Sequence, residues 1–98
     1  MRAKHVKETI LMQILQLDKW ALPAYGARNF EVIKRSKHYS GGVRFTVNGL
    51  KFKGNVEIRL AHSDTYTIDF VKDDVLEKRY TNVYATDLIK FLDYVEGK

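Results

Sequence analysis

The residues best suited to chemistry lie in "IKRSKHYSGG", positions 33 to 42, where Lys34, Arg35, Lys37 and His38 precede Tyr39 and a Gly41-Gly42 pair. Clustered cations displace counterions from phosphates, and a tyrosine such as Tyr39 can stack on an unpaired base for about 1 to 3 kcal/mol. With Arg28, Lys51 and Lys53 added, these residues form a candidate nucleic-acid-binding set. The plainer alternative is a strand connection kept basic for solubility and edge protection, with Gly41-Gly42 releasing the chain into the next strand. In the binding case the salt-driven term would dominate, because nothing in the stretch encodes direct readout of bases.

Other reactive chemistries find less support. His5, His38 and His62 stand in separate segments without metal-ligand spacing. Asp64 and the Asp73-Asp74 pair have the positions of turn initiators rather than of a cation site. Ser36, Ser40 and Ser63 lack a nucleophile's setting, and no glycine loop has the spacing that cradles phosphates. The chain has no cysteine, so thiolate metal sites, thiol nucleophiles and disulfides are excluded. The expectation is a protein without metal, cofactor or catalytic centre. Trp20, Tyr25 and Tyr94 are the candidates for contact with another protein, since amphipathic aromatics anchor interfaces; their alternative use is to cover the core.

These side chains must be positioned by a small set of elements. From Lys4 to Leu17, Val6, Ile10, Ile14 and Leu17 recur at helical spacing, with Leu11 and Leu15 widening the stripe. The helix is predicted to end near Asp18, and Pro23 to move Leu22 out of helical geometry, leaving Trp20 and Tyr25 in a connection. Beyond Gly26 the period becomes two: "NFEVIK", "GVRFTV", "NVEIRL" and "TYTIDFV" read as strands, and "LEKRYTNVY" as a weaker fifth. Asn48-Gly49 signals a two-residue hairpin that would set Val47 opposite Leu50 and Phe45 opposite Phe52; the rival is one longer loop over residues 48 to 55. "AHSD" and Asp73-Asp74 mark the later turns. Leu88, Phe91, Leu92 and Val95 give a closing helix, with Thr86 or Asp87 as N-cap and Gly97 as its stop.

The predicted fold is a single α+β domain over residues 1 to 98: a two-layer sandwich whose antiparallel sheet of four or five strands carries both terminal helices on one face. Phe45, Tyr66 and Phe70 have the phase of the covered face. Arg44, Thr46, Glu57, Arg59, Thr67 and Asp69 have the phase of the other, where mixed signs suggest a solvated surface without the exposed aromatics of an RNA-binding sheet. The chain of 98 residues is long enough for one shared core.

Its net charge of +5 is uneven. Residues 1 to 54 hold 11 basic and 3 acidic side chains (+8), whereas residues 55 to 98 hold 6 and 9 (−3). This polarity favours an anionic partner or an oriented protein contact. The N-terminal segment is broken by Glu8, Thr9, Gln13 and Gln16, so neither a signal peptide nor a membrane span is expected, and the cytoplasm is the expected location.

Three stretches together, "PAYGARNF", "VEIRLAHSDTYTIDF" and "NVYATDLIKFLDYVEG", resemble a group of small proteins of tailed bacteriophages and prophages. Gly26, Ala27, Asn29 and Phe30 match that group's first element, Asp64, Thr65, Tyr66 and Phe70 its second, and Tyr84, Ala85, Leu88 and Gly97 its third. The chain departs from the pattern between Phe30 and Val43, where it is longer and more basic, and again from Asn48 to Gly54. The resemblance implies a phage-type accessory protein in a bacterial host cell and no particular reaction. The resulting expectation is a non-enzymatic module that binds protein, by self-association or by contact with a host protein or defence factor. Nucleic-acid binding through the basic loop is the alternative.

Overall fold

The computed structural model describes residues 3–97. Its order is a helix α1 (Ala3–Leu17), a one-turn helix α2 (Ala21–Ala24), strands β1 (Arg28–Ile33), β2 (Tyr39–Asn48), β3 (Lys53–Ala61), β4 (Tyr66–Lys72) and β5 (Val75–Val83), and a closing helical segment. That segment runs through a 3-10 turn (Ala85–Asp87), α3 (Leu88–Leu92) and a second 3-10 turn (Asp93–Glu96). The five strands form one antiparallel meander in sequence order. One face of the sheet is covered by the helices and the other is open, which makes a two-layer α+β domain of the described residues.

The apolar stripe of α1 dictates its seat. Val6, Ile10 and Ile14 are fully buried against the sheet, whereas Leu15 and Leu17 stay outside. After Leu17 the Asp18 carboxylate accepts a hydrogen bond from the Trp20 backbone N–H at 2.9 Å, and α2 follows at once. Pro23 does not expel Leu22 from helical geometry as expected, because it lies in the first turn of α2, where its missing N–H has no partner to lose. Tyr25 is thereby directed inward rather than left in a connection.

The covered face holds Val43, Phe45, Val47, Val56, Ile58, Tyr66, Ile68 and Phe70. They pack with Leu88, Leu92 and Val95 of the closing segment. Phe70, Tyr80, Phe91 and Tyr94 add ring contacts, with centroids 4.6 Å apart for Phe70–Tyr94 and 4.8 Å for Tyr80–Phe91. Neither Thr86 nor Asp87 makes a side-chain cap, but Gly97 ends the segment in the left-handed region at φ 80°, where glycine carries no steric penalty.

The β2–β3 connection is neither the two-residue turn nor a loop over residues 48 to 55, but a four-residue loop between them in length. Val47 pairs with Gly54, Asn48 with Lys53 and Phe45 with Val56, so residues 49 to 52 form the loop. Neither Asn48 nor Gly49 has the positive φ that a two-residue type I′ turn demands. The loop is held by the other end of the chain, since the N–H groups of Lys51 and Phe52 both donate to the Val95 carbonyl, at 3.0 and 3.1 Å. Val95 also sits where a Cβ on Gly49 would be, so only glycine allows this approach. Phe52 turns into the core and Leu50 is left 89% exposed at the tip.

Gly41-Gly42 lies inside β2 rather than ahead of it. The register shifts between Tyr39 and Gly41, whose φ of 132° accommodates the bulge. No helix of the described residues is long and apolar enough to cross a membrane.

Candidate interaction surfaces

Strand partners directly opposed share a face, so the register assigns every side chain of the open side. Five basic residues, Arg28, Arg44, Lys53, Arg59 and Arg79, project there with three acidic ones, Glu31, Glu57 and Asp69. Across the sheet Glu31 faces Arg44, Arg44 faces Glu57, Glu57 faces Asp69, and Asp69 faces Arg79. The opposed carboxylates of Glu57 and Asp69 would repel, and Arg59 resolves this by binding both, with Nη2 2.6 Å from Glu57 and Nη1 3.3 Å from Asp69. Arg79 adds a bidentate pair to Asp69, Nε at 2.7 Å and Nη2 at 2.9 Å.

Asp69 is consequently only 3% exposed although it lies on the open face. Its hydrogen bonds and charge push the Arg79 guanidinium still further into its protonated range. Arg44 approaches Glu57 only to 3.9 Å and keeps nearly half of its side chain in solvent. A shallow hollow of about 260 Å³ lies between β1, β2 and β3, lined by Glu31, Val32, Ile33, Arg44, Glu57 and Arg59.

The basic loop leaves this face at one end. Lys34, Arg35, Lys37 and His38 are all exposed. His62, at the β3–β4 turn, ties the loop down: its Nε2 is 3.1 Å from the Lys37 carbonyl and its Nδ1 is 3.3 Å from Ser40 Oγ. A carbonyl only accepts, so Nε2 carries a proton, and in the neutral ring Nδ1 then accepts from the serine. Tyr39 pairs with Ala61, is half-buried, and takes the phase of the open face.

The predicted nucleic-acid set is therefore divided by the structure. The Lys34–Tyr39 group sits at one end of β2, and Arg28 and Lys53 project from the open face near the other end. The ten residues of β2 span about 30 Å from end to end. Lys51 leaves the set, because its amine lies 4.1 Å over the Tyr94 ring on the helix side.

Of the protein-contact candidates, Tyr25 belongs to the core and Tyr94 is half-buried against it. Tyr25 is 2% exposed and its hydroxyl donates to Asp93 Oδ1 at 2.9 Å. Tyr94 packs against Phe52 and Phe70 and donates to Glu77 at 2.7 Å, which with partial desolvation pushes its phenol up to about 12. Trp20 alone is open, 67% exposed, with the Lys19 amine 5.3 Å from its ring. Met12, Leu15 and Leu17 are exposed along the same half of α1. Leu17 borders a hollow shared with Gln13, Gln16, Ala85 and Thr86.

Sequence reasoning missed Arg79 as a partner of Asp69 and His62 as the anchor of the loop. A two-residue turn at Asp73-Asp74 would set Lys78 opposite Asp69, and only the bulge between Val71 and Phe70 advances the register to Arg79. His62 carries no local signal, because its partners lie 22 and 25 residues away. Among the described residues no three His, Asp or Glu side chains are grouped to hold a metal ion. Comparison with family models, with curated proteins and with solved structures finds no match for this chain.

Proposed function

We propose that this protein is a small phage-type accessory protein that works by contact rather than catalysis, holding another protein against its helix side. The observation that carries the reading is the exposure of Met12 and Leu15, at 56% and 46%, on the side of α1 turned away from its buried stripe, with Trp20 at 67% just beyond the helix and Leu17 at 42% on its last turn. A helix that already buries a complete stripe needs no second set of large apolar side chains for its own fold. A tryptophan held at the exit of such a helix has the size and rigidity of an interface anchor, whose truncation typically costs about 2 kcal/mol or more of binding.

The partner is a protein, either a second copy or a host protein. Sedimentation over a concentration series, together with capture from host lysate, tests this. The expected result is concentration-dependent association or one retained protein, abolished in Trp20→Ala and in Met12→Lys/Leu15→Lys while the circular dichroism spectrum is unchanged. A chain that stays monomeric and retains nothing, or whose contacts survive both variants, overturns the reading.

A further inference from the structure

The open face of the sheet is not consumed by the protein contact just described, which lies on the other side. It carries two more basic than acidic side chains, and the loop at its end adds Lys34, Arg35 and Lys37. Its carboxylates do not lie at random. Asp69 is sealed beneath Arg59 and Arg79, and Glu57 is held by Arg59, so two of the three negative charges are spent on fixing guanidinium groups in place. Such a scaffold holds the arginines with less freedom to lose on binding, which favours a planar, anionic ligand.

From this charge complementarity we infer that the open face is a track for single-stranded nucleic acid, running from the basic loop across Arg44 to Arg28 and Lys53. Its length of about 30 Å suits a segment at the short end of the about 4 to 16 nucleotides covered by single-strand-binding modules. Tyr39, half-buried where the loop joins β2, supplies a ring for one base. A single strand can lay its phosphates on the flanking cations and turn base amino groups toward the exposed Glu31. A duplex offers this face mainly phosphates, which that carboxylate repels.

Anisotropy of a labelled mixed-sequence single strand of about 15 nucleotides, titrated with the full chain between about 50 and 200 mM salt, tests the inference. With the six cations of this track engaged, log K is expected to fall against log salt with a slope of about −4. Lys34→Ala/Arg35→Ala/Lys37→Ala should make that slope shallower by about 2, and Arg44→Ala should weaken binding several-fold with a change of under about 1 in slope. All four positions are exposed, so the fold persists in these variants.

Lys19→Ala/Lys90→Ala removes two charges from the helix side and should leave binding nearly unchanged. The inference is overturned by no binding at the lowest salt, or by an equal loss in that helix-side variant. It is also overturned if duplex or polyglutamate displaces the single strand as well as unlabelled single strand does, the latter pointing to an acidic protein as occupant. Trp20→Ala should bind the oligonucleotide normally, so failure of the protein-contact reading and failure of this one are told apart.

Discussion

Tyr25 and Trp20 lie five residues apart and meet opposite fates. The Tyr25 ring fills the core while its hydroxyl finds Asp93, so burial leaves no polar atom unpaired. Burial, the hydrogen bond to Asp93 and the nearby Asp18 and Glu96 charges all raise the Tyr25 phenol far above its ordinary value of 10.0. Below that value the phenol is protonated in both the folded and unfolded chain, and stability is unaffected by it. Above it the unfolded chain loses a proton that the folded chain keeps, so stability falls with rising pH by about 1.4 kcal/mol per unit for this group. Tyr66, raised mainly by burial, and Tyr94, raised mainly by its bond to Glu77, act in the same direction. Urea unfolding from pH 9 upward is expected to show this decline in the wild type, with Tyr25→Phe shallower by one proton. Parallel curves would show that Tyr25 is accessible to solvent.

At the scale of elements, the β2–β3 loop shows most clearly how local signals and distant contacts compete. Asn48-Gly49 is a strong hairpin signal, and it yields because the Val95 carbonyl collects two N–H groups from the loop and Phe52 gains a place beside Phe70, ring centroids 5.4 Å apart. The two registers differ in what Leu50 does. Opposite Val47 it would be buried; in the structure it is at the exposed tip. Leu50→Ser is accordingly expected to change stability by no more than about 0.5 kcal/mol, and Phe52→Ala to cost about 3 to 5 kcal/mol. Chemical denaturation of the two variants decides, and comparable losses at both positions would restore the two-residue turn. The strands themselves were legible from alternation, and so were the Asp73-Asp74 turn, where both residues take positive φ, and the left-handed stop at Gly97. The bulges at Asn29, Gly41 and the β5 edge were not, since an extra residue leaves a period-two pattern looking almost the same.

At the scale of the described residues, all three helices and strands β2 to β5 contribute to one cluster of buried side chains, from Val6 of α1 to Val95 near the end of the chain, and β1 packs the half-buried Phe30 against it. No element has a core of its own, so the described residues should unfold together. Far-ultraviolet circular dichroism and tyrosine near-ultraviolet signals are expected to give coincident denaturant transitions; separate midpoints would show that the sheet or the closing segment is independently stable. The amino-acid sequence by itself determined the layers: helical spacing in α1, alternation in the strands, and the inward phase of Phe45, Ile58, Ile68 and Phe70. That reading survived a wrong hairpin because the register moved by four residues, and an even shift exchanges partners without turning any side chain to the other face. Only the tertiary structure decided which candidates for function stay available. Tyr25 went to the core, Tyr94 to a half-buried place against it, Lys51 to the Tyr94 ring, and Arg28, Lys53 and the basic loop to opposite ends of one open face. Those outcomes depend on contacts between residues far apart in the chain, whose register is set by bulges and docked loops that local spacing does not encode.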